Sequence, residues 1–354
     1  VLFRSPHRAF PDRAFPDGAM LRILLAALPA AAAAGISQKD VAANGLKFSC
    51  RFAGESGTSG DVMLLHGFPE WSSMYEGVMG SLAEQGYRSV ACDQRGYSRG
   101  ASPSSKADYS YHRLQDDIWA VADAVGFKRF HLVAHDHGAV LGWWTAGTEV
   151  AKQRLLSYSA MSIPHLDAFS EGLQGDKDQQ MASQYFTMFV LPDSASIHFY
   201  FWYLALGVGS GFGSASDFQK ALWWYNGAFD VGVLAMPPLM SRKALSDGGY
   251  SGMSFMRSIF GGEPDDGAPQ KVHTGNITVP VLYACGSSDG TILCDRPFAR
   301  KTAQYCEADY QHLVVNCGHS LLDSGCGDRE KVAQAIVHRV MTADKPGLDT
   351  NLVV

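Results

Sequence analysis

Short apolar runs alternate with amphipathic stretches along most of this chain, and that alternation restricts the fold more than any other feature. The strand-like runs are LKFSCRF, DVMLLHG, RSVACDQ, RFHLVAHD, LLSYSAM, VPVLYACG and HLVVNCG. Between them lie stretches such as YHRLQDDIWAVADAVGF, where Leu114, Ile118, Val121, Ala122 and Val125 recur at helical spacing. Strands that are apolar on both faces and separated by helices predict a mostly parallel sheet flanked by helices. With 354 residues, 46% of them hydrophobic, the chain can bury one large α/β domain or two small ones.

The alternation breaks between residues 165 and 270. That interval holds QYFTMFVLPD, HFYFWYLALG and KALWWYNGAF, and it reads as helices and loops inserted between two strands. The expected organisation is a core formed by residues 45–164 and 271–345, with a helical cap over residues 165–270. EKVAQAIVHRVM closes the chain as a helix.

The N-terminus reads differently. VLFRS and the tandem RAFPD at Arg8–Asp12 and Arg13–Asp17 mark residues 1–19 as non-native or leader sequence, with Met20 as the start. MLRILLAALPAAAAAG then has one basic residue, an apolar run and a small-residue end, the layout of a secretory signal peptide over residues 20–36. The run is too short for a stable membrane span. The expected destination is the secretory pathway or the exterior, with the cytoplasm as the alternative.

Of seven cysteines, Cys294, Cys306, Cys317 and Cys326 crowd the C-terminal segment, where an oxidising compartment allows pairing. Cys92 and Cys285 lie in apolar strand-like runs and read as small core residues. Asn276-Ile277-Thr278 is a glycosylation sequon. A net charge of −6, dispersed along the chain, provides no basic surface for nucleic acid and points to a small-molecule partner.

The chemistry concentrates at Ala134-His135-Asp136-His137-Gly138. A strand, a tight turn and a helix here form a nucleophile elbow, which needs small residues two before and two after its tip because backbones pack closely there. Ala134 and Gly138 meet that demand, and Asp136 occupies the tip. The turn aims the His137 N–H at any oxyanion that forms, and His66-Gly67-Phe68-Pro69 places the Phe68 N–H opposite it. Asp289 follows the strand VPVLYACG, and His319 follows HLVVNCG. Nucleophile, acid and histidine thus appear in the chain order of the α/β-hydrolase fold, each at a strand end. Asp295 is a second candidate for the acid. His131, His135, Asp136 and His137 are dense in possible metal ligands, but alternate strand side chains diverge and no metal-binding spacing is present. No metal or cofactor is implied.

An aspartate nucleophile forms an ester by attacking a saturated carbon that carries a leaving group, which fits epoxides and alkyl halides. His319 then activates water and Asp289 orients its imidazole. An epoxide also needs a proton donor at its oxygen, and a tyrosine pair suits this because phenol stays protonated at neutral pH.

HGFPE (His66–Glu70) with the following tryptophan resembles the oxyanion-loop signature of the epoxide hydrolases of the α/β-hydrolase superfamily. DQRGYSRG (Asp93–Gly100) is similar to that family's DxRGxGxS segment, and KALWWYNGAF to its ALNWYR stretch. The resemblance covers roughly residues 46–341. It implies ring-opening tyrosines at Tyr225 and Tyr185, an epoxide and water as partners, and substrate contacts at His66, Pro69, Trp224 and Phe189. Phe186, Trp202 and Trp223 are expected to pack. The chain departs from the family at His137, where tryptophan is usual, at Asn226, where arginine follows the tyrosine, and at Gly290-Thr291-Ile292-Leu293 after the acid.

Two alternatives stand beside epoxide hydrolysis. A haloalkane or haloacid dehalogenase would share Asp136 and His319, but it commonly takes a halide donor from a tryptophan after the nucleophile. A catalytically silent binding protein of the same fold would need no base aligned with a nucleophile. Oligomeric state is not legible.

Overall fold

The computed structural model describes residues 35–185, 212–230 and 274–343. Eight strands form one sheet: β1 (Ser37–Ala43), β2 (Leu46–Ala53), β3 (Gly60–Leu65), β4 (Tyr87–Cys92), β5 (Phe130–His135), β6 (Leu155–Met161), β7 (Val281–Gly286) and β8 (Tyr310–Val315). Their spatial order is β1-β2-β4-β3-β5-β6-β7-β8. β1, β2 and β4 pair antiparallel, and β4, β3, β5, β6, β7 and β8 pair parallel. The molecule has the α/β-hydrolase fold.

Strand composition follows position in the sheet. Every residue of β5 (FHLVAH) and β7 (VLYACG) is buried, as parallel strands covered on both faces require. Edge strand β1 (SQKDVAA) buries only Val41 and Ala43. β1 escapes the apolar-run criterion, yet it pairs with β2 through Asn44-Gly45, both at positive φ (50° and 72°). Asn-Gly is the strongest short hairpin signal, because a two-residue turn that matches strand twist needs left-handed backbone at both positions.

Helices α1 (Glu76–Glu84), α2 (Tyr111–Ala124), α3 (His137–Ala146), α4 (Glu149–Arg154), α5 (Leu166–Gly175), α6 (Lys177–Ala182), α7 (Ala215–Asp230), α8 (Pro297–Arg300) and α9 (Arg329–Thr342) accompany the sheet. α2 buries Leu114, Ile118, Val121 and Ala122 along one face, the stripe expected from spacing. Two buried clusters flank the sheet, one around α2, α3 and α7 and one around α1 and α9. No helix among the described residues is long and apolar enough to cross a membrane.

Beside the site, Arg95 forks onto Asp117 of α2 with two 2.7 Å hydrogen bonds, and Asn44 donates to the same carboxylate at 2.9 Å. This buried pair fixes the turn after β4, because a guanidinium and a carboxylate match in a planar fork. Two expectations about cysteine are corrected. Cys92 and Cys285 are not free core thiols: Cys50 pairs with Cys92 and Cys285 with Cys294, alongside Cys317 with Cys326, leaving Cys306 free. Each stays buried, so the apolar setting was legible and the partner was not.

Candidate active site

Asp136 connects β5 to α3 with φ 51° and ψ −124°. A left-handed backbone at a non-glycine residue costs energy and persists only where its surroundings enforce it. Here the Asp136 N–H donates to Met161 O at 3.1 Å, and its carbonyl accepts from Ala139 N and Val140 N. The demand for small neighbours is also visible. A Cβ on Gly138 would lie 2.4 Å from His66 O, and one on Gly67 would lie 2.5 Å from Asp136 Cβ. Only glycine lets the loop after β3 approach the nucleophile position this closely.

Both Asp136 oxygens are engaged. The Phe68 N–H donates to Oδ1 at 2.7 Å, and His319 Nε2 lies 2.9 Å from Oδ2. On the other side of the imidazole, Nδ1 is 2.7 Å from Asp289 Oδ2. Asp289 Oδ1 accepts from Thr291 N (2.8 Å), Thr291 Oγ1 (2.7 Å) and Ile292 N (3.1 Å), which locks the acid's rotamer. The other candidate acid, Asp295, is exposed beside Arg296 and does not meet the imidazole. His319 keeps 24% of its side chain exposed.

Burial alone would raise the Asp136 pKa. The hydrogen bond and charge of His319, the nearby His135 charge and the Phe68 N–H outweigh it and hold the carboxyl well below the usual range. Burial likewise opposes charge on His319, but bonds to Asp136 and Asp289 hold its pKa well above ordinary histidine. Asp289 is depressed for matching reasons, against its own burial. Both ring nitrogens of His319 face carboxylates, which only accept, so the geometry favours a carboxylate–imidazolium–carboxylate arrangement.

A second layer escaped the sequence reading. His135 Nδ1 lies 2.7 Å from Glu70 Oε2, and its Nε2 lies 3.0 Å from the backbone oxygen of His319. A carboxylate and a carbonyl can only accept, so both nitrogens carry protons and His135 is cationic. Its raised pKa agrees, with Glu70 overcoming the burial penalty. Glu70 also accepts from Gly67 N at 3.2 Å, and Ser162 Oγ donates to His319 O at 2.6 Å. The Glu70–His135 pair thus links the loop after β3 to the backbone of His319. Gln179 of α6 clamps the acid loop, donating to Thr291 O and accepting from Leu293 N, each at 2.8 Å. Glu70 was visible within HGFPE and His135 beside the nucleophile, but their pairing across 65 residues leaves no local pattern.

His131 points elsewhere, with Nδ1 2.9 Å from Ser157 Oγ. The four residues of the elbow's ligand-rich stretch therefore face different partners. Among the described residues, the trio with metal-ligand chemistry is Cys285, Cys294 and His312, in which the two sulfurs are bonded to each other.

His137 begins α3, so its N–H is among the four that lack an intrahelical acceptor. Its ring is buried, with a pKa pushed down to about 4 by that burial. Tyr225 of α7 stacks on it (centroids 4.3 Å apart, 19° between planes) and meets Phe68 edge-on at 5.3 Å. Tyr225 therefore sits beside both expected oxyanion donors. Tyr185 is half-buried at the end of the Ser183–Tyr185 turn after α6, and Pro69 is half-buried beside Phe68. Phe189 lies outside the described residues.

Two further expected substrate contacts, His66 and Trp224, lie in the interior. His66 is fully buried, with Nδ1 2.9 Å from Gly67 O and Nε2 accepting from Gln94 N at 2.9 Å, so its polar atoms hold the loop. Trp224 is fully buried between the rings of His66, Tyr97 and His137, and it packs α7 against α3 and the loops after β3 and β4.

Comparison with known proteins agrees with this fold. Residues 62–325 match the family described as alpha/beta hydrolase fold. The chain is 35% identical over 130 residues to epoxide hydrolase A of Mycobacterium tuberculosis (strain ATCC 25618 / H37Rv), covering 37% of this chain and 39% of that protein. It is 30% identical over 149 residues to epoxide hydrolase 4 of Homo sapiens, covering 42% and 40%. The matched segments thus span about two fifths of these curated relatives. A solved structure described among novel epoxide hydrolases of the alpha/beta hydrolases superfamily, from metagenomes of hot environments, aligns with TM-score 0.63. Its identity is 20%, over 85% of this chain and 98% of that one, a likeness of fold.

Proposed function

We propose, on the premise that the chain belongs to the α/β-hydrolase fold family, that it hydrolyses epoxides to vicinal diols through an ester on Asp136. One observation carries this reading. The elbow holds a carboxylate whose Oδ1 is fixed by the Phe68 N–H while Oδ2 faces His319. A serine elbow would attack acyl carbon; a carboxylate held in this way is suited to attack saturated carbon. The epoxide hydrolases among the relatives support the same substrate class.

In this reading Asp136 Oδ2 bonds to an epoxide carbon as the C–O bond breaks, and the departing alkoxide takes a proton from Tyr225 or Tyr185. Esterification discharges Asp136 and removes one of the two carboxylate bonds that hold the proton on His319. The imidazole passes that proton to the tyrosinate and becomes a base, kept in orientation by Asp289. It then takes a proton from water, whose oxygen attacks Asp136 Cγ. The negative charge develops on Oδ1, already opposite the Phe68 N–H, with the His137 N–H as second donor. Collapse breaks the Cγ–Oδ2 bond, and Oδ2 leaves as the second hydroxyl of the diol with a proton from His319. The new carboxylic acid of Asp136 returns its proton to His319 and restores the resting ion pair.

Residues 165–270 are read as a cap that supplies the tyrosines and an apolar substrate wall, with Pro69 and Phe189 at the contact surface. The aromatic packing of α7 against Phe68 and His137 supports this. Secretion is part of the same reading, and three cysteine pairs support it, since such bridges persist in oxidising compartments.

The test uses His319→Gln, in which the ester forms but is not hydrolysed. Incubation with an aryl epoxide is expected to add the full epoxide mass to the peptide carrying Asp136. An alkyl adduct from a bromoalkane and none from the epoxide would make the protein a dehalogenase. Absence of any adduct would overturn the covalent reading.

A further inference from the structure

Two of the three disulfides are placed with respect to the site in a way that structure alone does not require. Cys285–Cys294 and Cys317–Cys326 each join residues nine apart. Asp289 lies inside the first ring and His319 inside the second. Each ring begins at the C-terminal end of a strand, with Cys285 inside β7 and Cys317 two residues beyond β8. The remaining bridge, Cys50–Cys92, differs in kind. It joins residues already paired in register across β2 and β4, and it closes a ring over 42 residues.

A short bridge is useful where a loop has few other constraints, because it removes most of the conformations the loop could otherwise visit. The His319 loop is the more open of the two, although Leu321 within it is fully buried. Gly318 and residues 323–325 are exposed. The ring's internal backbone bonding includes the contact from Cys326 N to Asp323 O, while His319 itself is held through its carbonyl by Ser162 and His135. The acid loop has more support, since Asp289 Oδ1 gathers two N–H groups and a hydroxyl, and Gln179 clamps two backbone groups. A displacement of about 1 Å in either loop would break the 2.7 Å and 2.9 Å contacts of the imidazole and cost about 100-fold in rate.

We propose that the two bridges are positioning elements of the reaction machinery: Cys317–Cys326 holds His319, and Cys285–Cys294 holds Asp289, in line with Asp136. The inference rests on the functional reading above in taking these three residues as the reacting set, yet the alignment itself can be measured without substrate. Cys285, which reads from sequence as a small core residue, thereby becomes part of the site's construction. The two rings are unequal. Opening the His319 ring leaves the base held through its carbonyl by Ser162 and His135, whereas opening the Asp289 ring leaves the acid's own carboxylate and loop held by Thr291 and Gln179.

The experiment uses the full oxidised chain. Peptide mapping after thiol alkylation without reduction is expected to find the four cysteines blocked in the two short pairs, and free thiols at these positions would overturn the proposal. Proton NMR then follows the low-field ring N–H of His319 bonded to Asp289, assigned by its disappearance in His319→Gln. The signal is expected in wild type and in Cys50→Ser/Cys92→Ser, to vanish in Cys317→Ser/Cys326→Ser and to weaken in Cys285→Ser/Cys294→Ser. Circular dichroism is recorded on the same samples. Should a double variant fail to fold, stepwise reduction of wild type by a water-soluble phosphine replaces it. The phosphine is oxidised to its oxide, and each bridge takes two electrons and two protons to give two thiols. Loss of the signal before loss of the fold supports the proposal, and persistence until global unfolding overturns it. With an epoxide, ester hydrolysis in Cys317→Ser/Cys326→Ser is expected to fall at least about tenfold more than ester formation. Equal losses in both steps would overturn it. Failure of wild type to turn over any epoxide, with the NMR result intact, would instead count against the functional reading.

Discussion

The Asp136 turn and the two loops that carry Asp289 and His319 meet at one point yet are held by different means. The turn belongs to a fully buried strand and helix, and its geometry follows from close backbone contacts that only Gly67 and Gly138 permit. The two loops follow the last two strands, fully buried β7 and largely half-exposed β8, and each is closed by a short disulfide. Dense packing fixes Asp136 without covalent help. Where packing thins, side-chain hydrogen bonds and cross-links take over the same task.

The comparison predicts where single changes act. The largest effect is expected at the tip of the turn: Asp136→Ala and Asp136→Ser lower diol formation by at least about 10,000-fold in steady-state assays, since neither offers a carboxylate to form the ester. Retained activity in either variant would remove the covalent mechanism. Next comes Gly67→Ala, whose methyl would lie 2.7 Å from Asp136 Oδ1. It should reduce kcat about 100-fold by moving the carboxylate, with a loss of about 1–3 kcal/mol in thermal unfolding from overpacking. Gly138→Ala places a methyl against two carbonyl oxygens and is expected to impair folding itself, measured as soluble yield.

Glu70→Gln probes the link between the two regions. It strands the His135 cation in a buried setting and should cost about 3–5 kcal/mol in denaturant unfolding. A Glu70→Gln/His135→Gln double variant is expected to recover part of that loss, and simple additivity would show that the pair is not coupled.

The smallest effect concerns pH. Asp136, Asp289 and Glu70 have depressed pKa values, so their stabilisation is present above the unfolded carboxyl range near about 4 and is lost as pH falls through the folded values. His135 and His319 have raised values, so theirs is complete below about 6.5 and is lost as pH rises through the folded values. The charged network therefore holds best between about pH 4 and 6.5. The Tm advantage of wild type over His319→Gln is expected to narrow by about 2–4 °C from pH 6 to alkaline pH. A gap that widens instead would contradict the charge assignment.

The same contrast explains what could be read before any coordinates. Asp136, Asp289 and His319 were legible because each follows an apolar strand, and strand ends in a parallel sheet converge on one edge. Gly138 was legible because an elbow demands a small residue at a fixed offset. For His66 and Trp224, motif membership marked the residues without indicating that both are fully buried among aromatic and loop partners. The Glu70–His135 pair and the bridges to Cys92 and Cys285 stayed hidden for a common reason. Each depends on which two distant positions the fold brings together, and neither periodicity nor composition carries that information. β1 was missed because an edge strand needs few apolar residues, although Asn44-Gly45 announced its hairpin.

The most direct test of the central claim is a single turnover of an aryl epoxide in ¹⁸O-labelled water with enzyme in excess. If Asp136 forms the ester, the diol takes its new oxygen from the carboxylate and emerges unlabelled, while the Asp136 peptide gains the heavy isotope. A labelled diol with an unlabelled Asp136 peptide would mean that water attacks the epoxide directly, and Asp136 would not be the nucleophile.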